Sequence, residues 1–547
     1  EPFCSRTRLY FSKLFEVKGV YVVIEQAVRT ANDLKIQDKK DVSVALLSFK
    51  NLASVECPLT LDNYQRAYVW GADKVTQLLN DLLSFVQENQ DEDAYYMGTI
   101  LLHWKVDEKQ SNLCVIDGQQ RLTSLAVLYW LLNERPPTHT QFSFRSSRSM
   151  VNIQQAKLTM KNWLDKNNLE RAKLIAVYDR LRFTIIKVTR EDLAFTFFDT
   201  QNNRGVPLGS TDLLKAFHLR AIQSDDAHID ELLQSHCASR WEQVQLQGEL
   251  GKLSSTHDFA PELFHYYLWR ARNWMGNQVT ELESKEEMFS HFGERTKITK
   301  LGEVILYPAG ANQWGQSLSL THDNDFYLTP ASQQFGMQSA YLPFSLRQPI
   351  SRGVGFFLYA EKYAAMLNLL LHKPSIDIEI QAVQKFYKDV VKTLSHYLQS
   401  LFRLCLLVYF DRLGSKGLLR FALWLDHRIG EIRLSQSDIR RETPIKFLRD
   451  PKRNLLDVVA YAYECADVID FLKQVDVSKT YSLNEGWWKG IQSNRLVQER
   501  YAAAVAKYYN IESLGKKTAE CIERSVESQL SKQKNQIYSG PKGVAHA

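Results

Sequence analysis

The chain has few of the features that identify common protein classes. Its seven cysteines stand far apart, with no Cys-x-x-Cys pair and no zinc-ligand spacing. This argues against a structural zinc site and for a reducing cytosol. No uninterrupted apolar run reaches the roughly 18 residues of a membrane span. The start, Glu1-Pro2-Phe3-Cys4, has neither a signal-peptide pattern nor an initiator Met, so the true N-terminus is an open question. We expect a cytoplasmic protein that does not associate with membranes.

Standard catalytic motifs are also absent. The nearest approach to a phosphate-binding loop is the segment from Gly248 to Ser254, whose two glycines are too close together. No His-Glu-x-x-His zinc motif or Gly-x-Gly-x-x-Gly dinucleotide-binding motif occurs. We therefore predict no metal-binding residues, and any nucleotide chemistry must use an unorthodox site.

Composition allows a large globular protein of more than one domain. The 547 residues are 45% hydrophobic and 24% charged, with a formal net charge of +6 and a pI near 8.7. A chain of this length is expected to form two or three domains. The mildly basic balance permits nucleic-acid binding without requiring it.

Hydrophobic patterning predicts an α+β fold, with an α/β first part and a mostly helical remainder. Helical spacing covers Ala72 to Gln87, and strands are predicted at Thr99 to Trp104, Asn112 to Ile116 and Phe183 to Val188. We divide the chain into residues 1–225, a helical region 226–354 with a long irregular insertion from Tyr307 to Val354, and a helical region 355–547 that recognises DNA or a partner. The predicted helices of the later regions include Ile378 to Phe410, Leu455 to Leu472, and Ile491 to Glu527.

The segment from Val115 to Leu125 (VIDGQQRLTSL) is the most informative in the chain. A short apolar strand leads into it and a helical pattern follows, so Asp117 occupies the expected N-cap position. Such a turn directs backbone N–H groups and the positive helix end at a bound anion, and Arg121 adds a bidentate phosphate donor. Asp117 could instead face a water or a sugar hydroxyl. The alternative is that Asp117 only caps the helix.

Four sequence blocks carry a family resemblance in their order along the chain. They are Tyr64-Gln65-Arg66, Met97-Gly98-Thr99-Ile100, Ile116 to Thr123, and Phe198 to Lys215 with Asn203-Arg204-Gly205. Over roughly residues 40–225 the chain resembles the N-terminal domain of GmrSD-type modification-dependent (type IV) restriction enzymes. That resemblance implies a fold similar to ParB and sulfiredoxin.

The resemblance also implies a function and a site. Members of the family are prokaryotic anti-phage proteins that recognise modified DNA, such as DNA with glucosylated hydroxymethylcytosine or phosphorothioate linkages. Their Asp-Gly-Gln-Gln-Arg motif is associated with nucleotide hydrolysis. The implied catalytic residues are Asp117, Gln119, Gln120 and Arg121, and the implied substrate-binding residues are Tyr64, Gln65, Arg66, Gly118, Asn203 and Arg204. The His-Asn-His nuclease signature of many members is not found in the C-terminal half.

Three hypotheses follow from this resemblance. The leading one is a DNA glycosylase that needs no cofactor: it extrudes a modified nucleotide, hydrolyses its N-glycosidic bond and leaves an abasic site. Asp117 would stabilise oxocarbenium charge or activate water, and Arg66 and Arg121 would hold phosphates. The second is a specificity subunit that hydrolyses an NTP with Mg²⁺ and gates a separate nuclease subunit. The third is a non-catalytic ParB-like DNA-binding module.

The helical region offers candidates for contact with DNA or a partner. We expect a basic groove there, with Arg270, Arg272, Arg295 and Lys297 as candidates, although a solvated charged face is the better explanation for any one of them. Trp314 and Tyr327 lie in the long irregular stretch, which is a candidate to close over the substrate.

Overall fold

The structure is a computed structural model that forms two compact units, Glu1–Pro207 and Leu208–Ala547. It describes residues 15–17, 20–22, 41–53, 57–61, 65–88, 94–106, 111–137, 140, 142–144, 147–167, 171–190, 193–194, 197, 209–223, 227–247, 258–281, 284–293, 304, 316–320, 326–330, 339–436, 438–483 and 496–538. The two units meet in the sequence before residue 225, where we placed the first boundary. The division into three regions stays a prediction.

The first unit is built on a five-stranded mixed sheet. Its strands lie in the order Val42–Ser48 (β3), Leu181–Val188 (β7), Tyr95–Val106 (β5), Ser111–Asp117 (β6) and Leu59–Leu61 (β4). Strand β5 runs parallel to β7 and antiparallel to β6, and β6 runs parallel to β4. The elements in chain order are β1 Phe15–Val17, β2 Val20–Val22, β3 Val42–Ser48, α1 Phe49–Ala53, β4 Leu59–Leu61, α2 Ala72–Glu88, β5 Tyr95–Val106, β6 Ser111–Asp117, α3 Gln119–Asn133, α4 Ser147–Lys166, α5 Arg171–Arg180 and β7 Leu181–Val188.

Alternating and helical apolar patterns explain these elements. In β7, Leu181, Phe183 and Ile185 are fully buried while the residues between them are half-buried, which is the period of a strand with one face in the core. In α2, Val75 and Leu79 recur at helical spacing and are also fully buried. Each such side chain contributes about 1.5–3 kcal/mol relative to leaving it exposed. The three predicted strands and the first predicted helix are confirmed.

In the part that the structure describes, the second unit is mostly helical and contains one antiparallel hairpin, β8 Gln316–Leu320 with β9 Phe326–Pro330. Its helices are α6 Ser210–Arg220, α7 Ala227–Leu246, α8 Phe259–Glu262, α9 Trp269–Asn273, α10 Lys285–Phe292, α11 Val354–Leu371, α12 Ile378–Asp389, α13 His396–Leu413, α14 Leu418–Ser435, α15 Glu442–Arg449, α16 Leu455–Tyr461, α17 Cys465–Lys473, α18 Ser478–Leu483, α19 Leu496–Tyr509 and α20 Ala519–Tyr538. A π-helical turn, Leu263–Leu268, joins α8 to α9. The mixed sheet and the helical second unit confirm the α+β fold class.

One helix of the described residues, α11, is long and apolar enough to cross a membrane, and 72% of its apolar window is buried within the structure. Phe356, Tyr363 and Leu370 on this helix are fully buried. Burial of this extent is typical of a core helix in a folded domain.

Three long predicted helices are interrupted. The prediction from Ile378 to Phe410 is wrong at residues 390–395, where a 3-10 turn, Val391–Thr393, separates α12 from α13. The prediction from Leu455 to Leu472 is wrong at Ala462, whose backbone is extended. In the third, Asn510 adopts a positive φ of 53°, the left-handed conformation that commonly ends a helix. Periodicity misses these breaks because apolar residues continue on both sides of each one.

Candidate functional site

The turn at Asp117 joins β6 to α3, and its backbone conformation requires a glycine. Asp117 is the last residue of β6, and Gly118, with φ +96°, is the N-cap of α3. The predicted N-cap role of Asp117 is therefore wrong. A Cβ on Gly118 would lie 3.0 Å from Cγ1 of Ile100, so both the backbone conformation and the space favour glycine here. The carboxylate of Asp117 is thereby left available for other contacts.

Asp117 and Arg121 form a loose ion pair across the first helical turn. Arg121 Nη2 lies 3.7 Å from Asp117 Oδ2, and the two side chains are 25% and 34% exposed. Both groups can therefore be reached from solvent, which a ligand-binding carboxylate requires.

The Arg121 guanidinium also fastens the turn to β5. Its Nη1 donates to Met97 O (2.7 Å) and its Nη2 to Thr99 O (2.6 Å). Between these carbonyls Gly98 has φ +99°, and the pairing of β5 with β7 shifts register between Tyr96 and Thr99. This is a β-bulge whose carbonyl groups face one cation. Arg121, predicted as a phosphate donor, thus has a structural role in the described contacts.

Gln120 holds the loop that follows β4. Its Nε2 donates to Ala67 O (3.1 Å) and its Oε1 accepts from Val69 N (2.8 Å), so both ends of the amide are bonded to the backbone. The side chain is 7% exposed. Gln120 therefore holds the backbone of this loop in place, and its predicted catalytic role stays a prediction.

Gln65 fastens the same loop from its other end. Its Nε2 donates to Val115 O (2.8 Å) and Ile116 O (2.9 Å), the two carbonyls that precede Asp117. Tyr68, between the two attachments, is fully buried and shares a hydrogen bond of 2.9 Å with Ser124 of α3. Burial raises the pKa of Tyr68 to about 12. The loop is therefore fixed to the turn at several points, and Tyr68 was missed because an isolated tyrosine gives no sequence signal for such a role.

Gln119 differs from its neighbour because its amide oxygen has no partner. The side chain is 5% exposed, and its Oε1 is buried without a hydrogen bond among the described residues. One turn further along the helix, the hydroxyl of Thr123 is buried and unpartnered in the same sense. An unsatisfied buried acceptor lowers the stability of the fold by about 1–3 kcal/mol. A donor such as a ligand amine, a hydroxyl or a water would therefore bind favourably to this oxygen.

The remaining predicted site residues are only partly placed. Arg66 lies half-buried in the loop next to Gln65. Tyr64, Asn203 and Arg204 lie outside the described residues, so the predicted closure of the pocket by Asn203 and Arg204 stays a prediction. Within the part of the chain that the structure describes, no group of three His, Cys, Asp or Glu side chains is arranged to hold a metal ion.

The predicted basic groove of the helical region does not contain Arg272. That side chain is buried, and it donates from Nη1 to Leu346 O (2.7 Å) and Gln348 O (2.6 Å) and from Nε to His291 Nε2 (2.7 Å). Arg270 lies over the rings of Tyr266 and Trp274, and burial lowers its pKa. Both arginines therefore support the local fold. Arg295, Lys297, Trp314 and the side chain of Tyr327 lie outside the described residues.

Comparison with known families accounts for most of the chain in two parts. Residues 46–219 match the family model of the GmrSD restriction endonuclease N-terminal domain. This segment is similar to the N-terminal domain of GmrSD restriction endonucleases. Its matched range begins in β3 and ends in α6, and it includes the whole Asp117 turn. This similarity supports a role in type IV restriction and anti-phage defence.

Residues 233–486 match a family of unknown function, DUF7834. Neither of these two family descriptions names a nuclease for the helical part. No curated protein matches the chain.

Proposed function

We propose that the chain hydrolyses a nucleotide at the Asp117 turn as part of the restriction of covalently modified DNA. The similarity to the GmrSD restriction endonuclease N-terminal domain supports the defence role. The six described cysteines are free thiols, which suits a reducing cytoplasm. The observation that carries the site is the solvent-accessible carboxylate of Asp117 at the start of α3. Two residues further along the chain, the amide oxygen of Gln119 is buried without a hydrogen bond among the described residues.

The first candidate reaction is hydrolysis of the N-glycosidic bond of an extruded modified nucleotide. The carboxylate of Asp117 stabilises positive charge on the sugar or takes a proton from the attacking water. The water oxygen bonds to the sugar C1′, and the base leaves with the bonding electrons and is protonated. Gln119 Oε1 would accept a hydrogen bond from an exocyclic amine or a sugar hydroxyl, which a modified cytosine such as glucosylated 5-hydroxymethylcytosine supplies.

The second candidate reaction is hydrolysis of a nucleoside triphosphate that gates a separate nuclease. The start of α3 favours it, because its first backbone N–H groups have no intrahelical partner and the positive helix end lies beside Asp117. Mg²⁺ is commonly held by one or two carboxylates together with phosphate oxygens and water, so Asp117 fits as its protein ligand. The bound ion would neutralise phosphate charge.

Two assays on the full chain test both reactions. Phage DNA with glucosylated 5-hydroxymethylcytosine, incubated without triphosphate, should acquire alkali-labile abasic sites, and Asp117→Asn should abolish them. If the triphosphatase is correct instead, Mg²⁺-dependent phosphate release should be lost in Asp117→Asn and should change with modified DNA. Asp81→Asn, an exposed carboxylate on α2, is the control and should behave as wild type. The absence of both activities, with DNA binding and protection of cells intact in Asp117→Asn, would contradict the proposal in favour of a non-catalytic module.

A further inference from the structure

The loop before α11 is shaped by two glycines in the sequence Ser351-Arg352-Gly353-Val354-Gly355. Gly353 is the N-cap of α11 and has φ +68°, a conformation that L side chains rarely adopt. Gly355 is the second residue of the helix, and a Cβ on it would lie 2.7 Å from Cβ of Ser351. Glycine is therefore required at the first position by the backbone and at the second by the lack of space. The side chain of Ser351 consequently lies against the start of α11.

The start of α11 is held in place but is not capped by a side chain. Its N-cap is a glycine, so no N-cap side chain accepts from the first N–H groups of this 18-residue helix. These groups carry the positive end of the helix dipole. The N–H of Gly353 donates to Nδ1 of His218 (3.3 Å), and Nε2 of the same ring donates to Phe292 O (3.0 Å). The helix start is therefore a fixed group of donors that suits an anion.

Ser351 gives a second and independent indication of a ligand. Its side chain is 8% exposed, and its Oγ is buried without a hydrogen bond among the described residues. This oxygen lies 3.5 Å from the position that a Cβ on Gly355 would take, which places the hydroxyl beside the first turn of α11. Native structures retain few buried polar groups without a partner, because each of them destabilises the fold. A ligand that binds at this turn would supply the missing acceptor.

Arg352 adds a full positive charge to the same loop. Its Nε is buried without a hydrogen-bond partner in the described structure, and its guanidinium carbon lies 5.3 Å from the ring centre of Phe217. An aromatic face attracts a guanidinium without neutralising its charge. Arg352 forms no ion pair in the part of the chain that the structure describes, where the nearest ion-paired residues along the sequence are Arg347 and Glu361. Residues 331–360 contain no Asp or Glu.

The carboxylates of the three helices that meet at this loop lie away from it. On α11, Glu361 is seven residues beyond the first residue, about 10 Å along the helix, and is bound to Arg240 (2.7 Å). On α6, Asp212 lies in the first turn, whereas His218, which bonds to the loop, lies in the last. On α10, both glutamates lie in the first turn, whereas the bond to His218 comes from the last residue. The charge at the start of α11 is therefore positive.

We propose that residues 351–355 and the first turn of α11 bind a phosphate group. The guanidinium of Arg352, the hydroxyl of Ser351 and the N–H groups of the helix start donate to its oxygens. These are donors from which proteins commonly build phosphate sites. Arg352 and Val354 are half-buried, so the turn is reached from solvent. The phosphate belongs either to a free nucleotide or to the backbone of DNA, which present the same oxygens to the site.

The site lies in the segment matched by the family of unknown function and does not rest on the proposed function. Three probes with the full chain test it: inorganic phosphate and deoxycytidine monophosphate, followed by phosphorus NMR, and a short labelled DNA duplex, followed by fluorescence anisotropy. Arg352→Gln and Ser351→Ala should each weaken binding by about tenfold to 150-fold, the range for a hydrogen bond to a charged group. Arg352→Lys should lose less than Arg352→Gln, because it keeps the charge but not the planar fork of donors.

The three probes distinguish the two sources of the phosphate. A duplex affinity that depends on Arg352, with a log–log salt slope reduced by about 0.9 in Arg352→Gln for one lost contact, identifies the DNA backbone. Dependence on Arg352 for the monophosphate or inorganic phosphate, with an unchanged duplex affinity, identifies a free nucleotide or phosphate. Absence of wild-type binding to all three probes, or equal affinities of wild type, Arg352→Gln and Ser351→Ala, would overturn the proposal.

Stability and a matched control exclude an indirect effect. Ser351→Ala removes an oxygen that has no partner among the described residues, so it should keep the wild-type melting temperature or raise it. Arg524→Gln replaces an exposed arginine of α20 and should bind every probe as wild type does. Asp117→Asn should retain the binding that depends on Arg352 while losing hydrolysis. Failure of the proposed function and failure of this phosphate site therefore give different results.

Discussion

The guanidinium of Arg121 occupies the space that a side chain on Gly98 would need. A Cβ built on Gly98 would collide with Arg121 Nη1, and that nitrogen donates to Met97 O, the carbonyl just before the glycine. The Met97-Gly98-Thr99 block and the Asp117-to-Arg121 block are therefore two halves of one structure. Their joint presence in the sequence reflects a physical contact between a β-bulge and the cation that it surrounds.

Gly98→Ala should destabilise the first unit through two separable effects. The positive φ lowers the stability by about 1–2 kcal/mol when the residue is not glycine. Displacement of the guanidinium also breaks its hydrogen bonds to two carbonyls, each of which contributes about 1.5–3 kcal/mol. In an Arg121→Ala background the same substitution should cost only the backbone strain. Hydrogen exchange of amides in α3 and β5 measures the stability of the four proteins in this double-mutant cycle, which are the wild type, the two single variants and the double variant. Equal costs of Gly98→Ala in both backgrounds would rule out the proposed contact.

Substitution of the neighbouring residues Gln119 and Gln120 by alanine should have different effects on stability and on activity. Gln120→Ala removes two bonds to the loop backbone and should lower the stability of the first unit by about 1–3 kcal/mol. Gln119→Ala removes an oxygen that has no partner in the described structure, so stability should stay within about 0.5 kcal/mol or increase. Activity at the Asp117 turn should nevertheless fall at least tenfold in Gln119→Ala, with the loss mainly in KM.

Thermal unfolding and steady-state kinetics on the same preparations separate these two roles. A Gln119→Ala variant with full activity would show that its amide does not contact the substrate. A Gln120→Ala variant with wild-type stability would contradict its assignment as a positioning residue.

Sequence patterns predicted the sheet better than the site. Strands such as Phe183 to Val188 alternate because one face packs on the core, and that period is visible in the sequence. The roles at the turn depend on long-range contacts instead. Asp117 was predicted to cap α3, but Gly118 takes that position because the chain turns with a positive φ. Gln120 and Gln119 are indistinguishable in sequence, and only the packing of the loop at Ala67 and Val69 separates a bonded amide from a free one.

A fully buried ion pair in the second unit gives a third prediction. Lys517 Nζ lies 2.8 Å from Asp426 Oδ2, with both side chains at 0% exposure, and Tyr501 donates to the other carboxylate oxygen. Burial, the largest single effect, lowers the pKa of Lys517, but Asp426 and Tyr481 together outweigh it, so the pKa of the lysine is raised. Lys517→Met leaves an uncompensated carboxylate and should cost about 3–5 kcal/mol, most of which Asp426→Leu should recover in the double variant.

The adjacent Lys516 supplies the control for that experiment. It pairs with Glu512 at 2.9 Å, but both side chains are well exposed, so Lys516→Met should change stability by less than about 1 kcal/mol. Urea unfolding of the second unit, followed by circular dichroism, measures all four proteins. A double variant as unstable as Lys517→Met would show that the two charges are not coupled.

His218 should make the second unit sensitive to mild acid. Burial lowers its pKa to about 3. Its Nδ1 accepts from Gly353 N (3.3 Å), so the neutral ring carries its proton on Nε2, which donates to Phe292 O (3.0 Å). The unfolded chain binds a proton near pH 6.5, whereas the folded chain does not until about pH 3. Stability is therefore unaffected by this group above pH 6.5 and decreases below it, by up to about 1.4 kcal/mol per pH unit.

The variant His218→Gln isolates this contribution. At pH 8 it should be less stable than wild type, because it loses the stacking on Phe356, whose ring centre lies 3.9 Å from that of His218, and the two hydrogen bonds. Between pH 6.5 and 5 the difference in the free energy of unfolding should decrease, because only wild type loses stability by keeping this ring neutral. His291 and His427, whose pKa values burial lowers to about 4 and about 2, act in the same direction in both proteins and cancel in the comparison. Urea unfolding at pH 8, 6 and 5 gives the two curves, and parallel curves would refute the assignment of a neutral, buried His218.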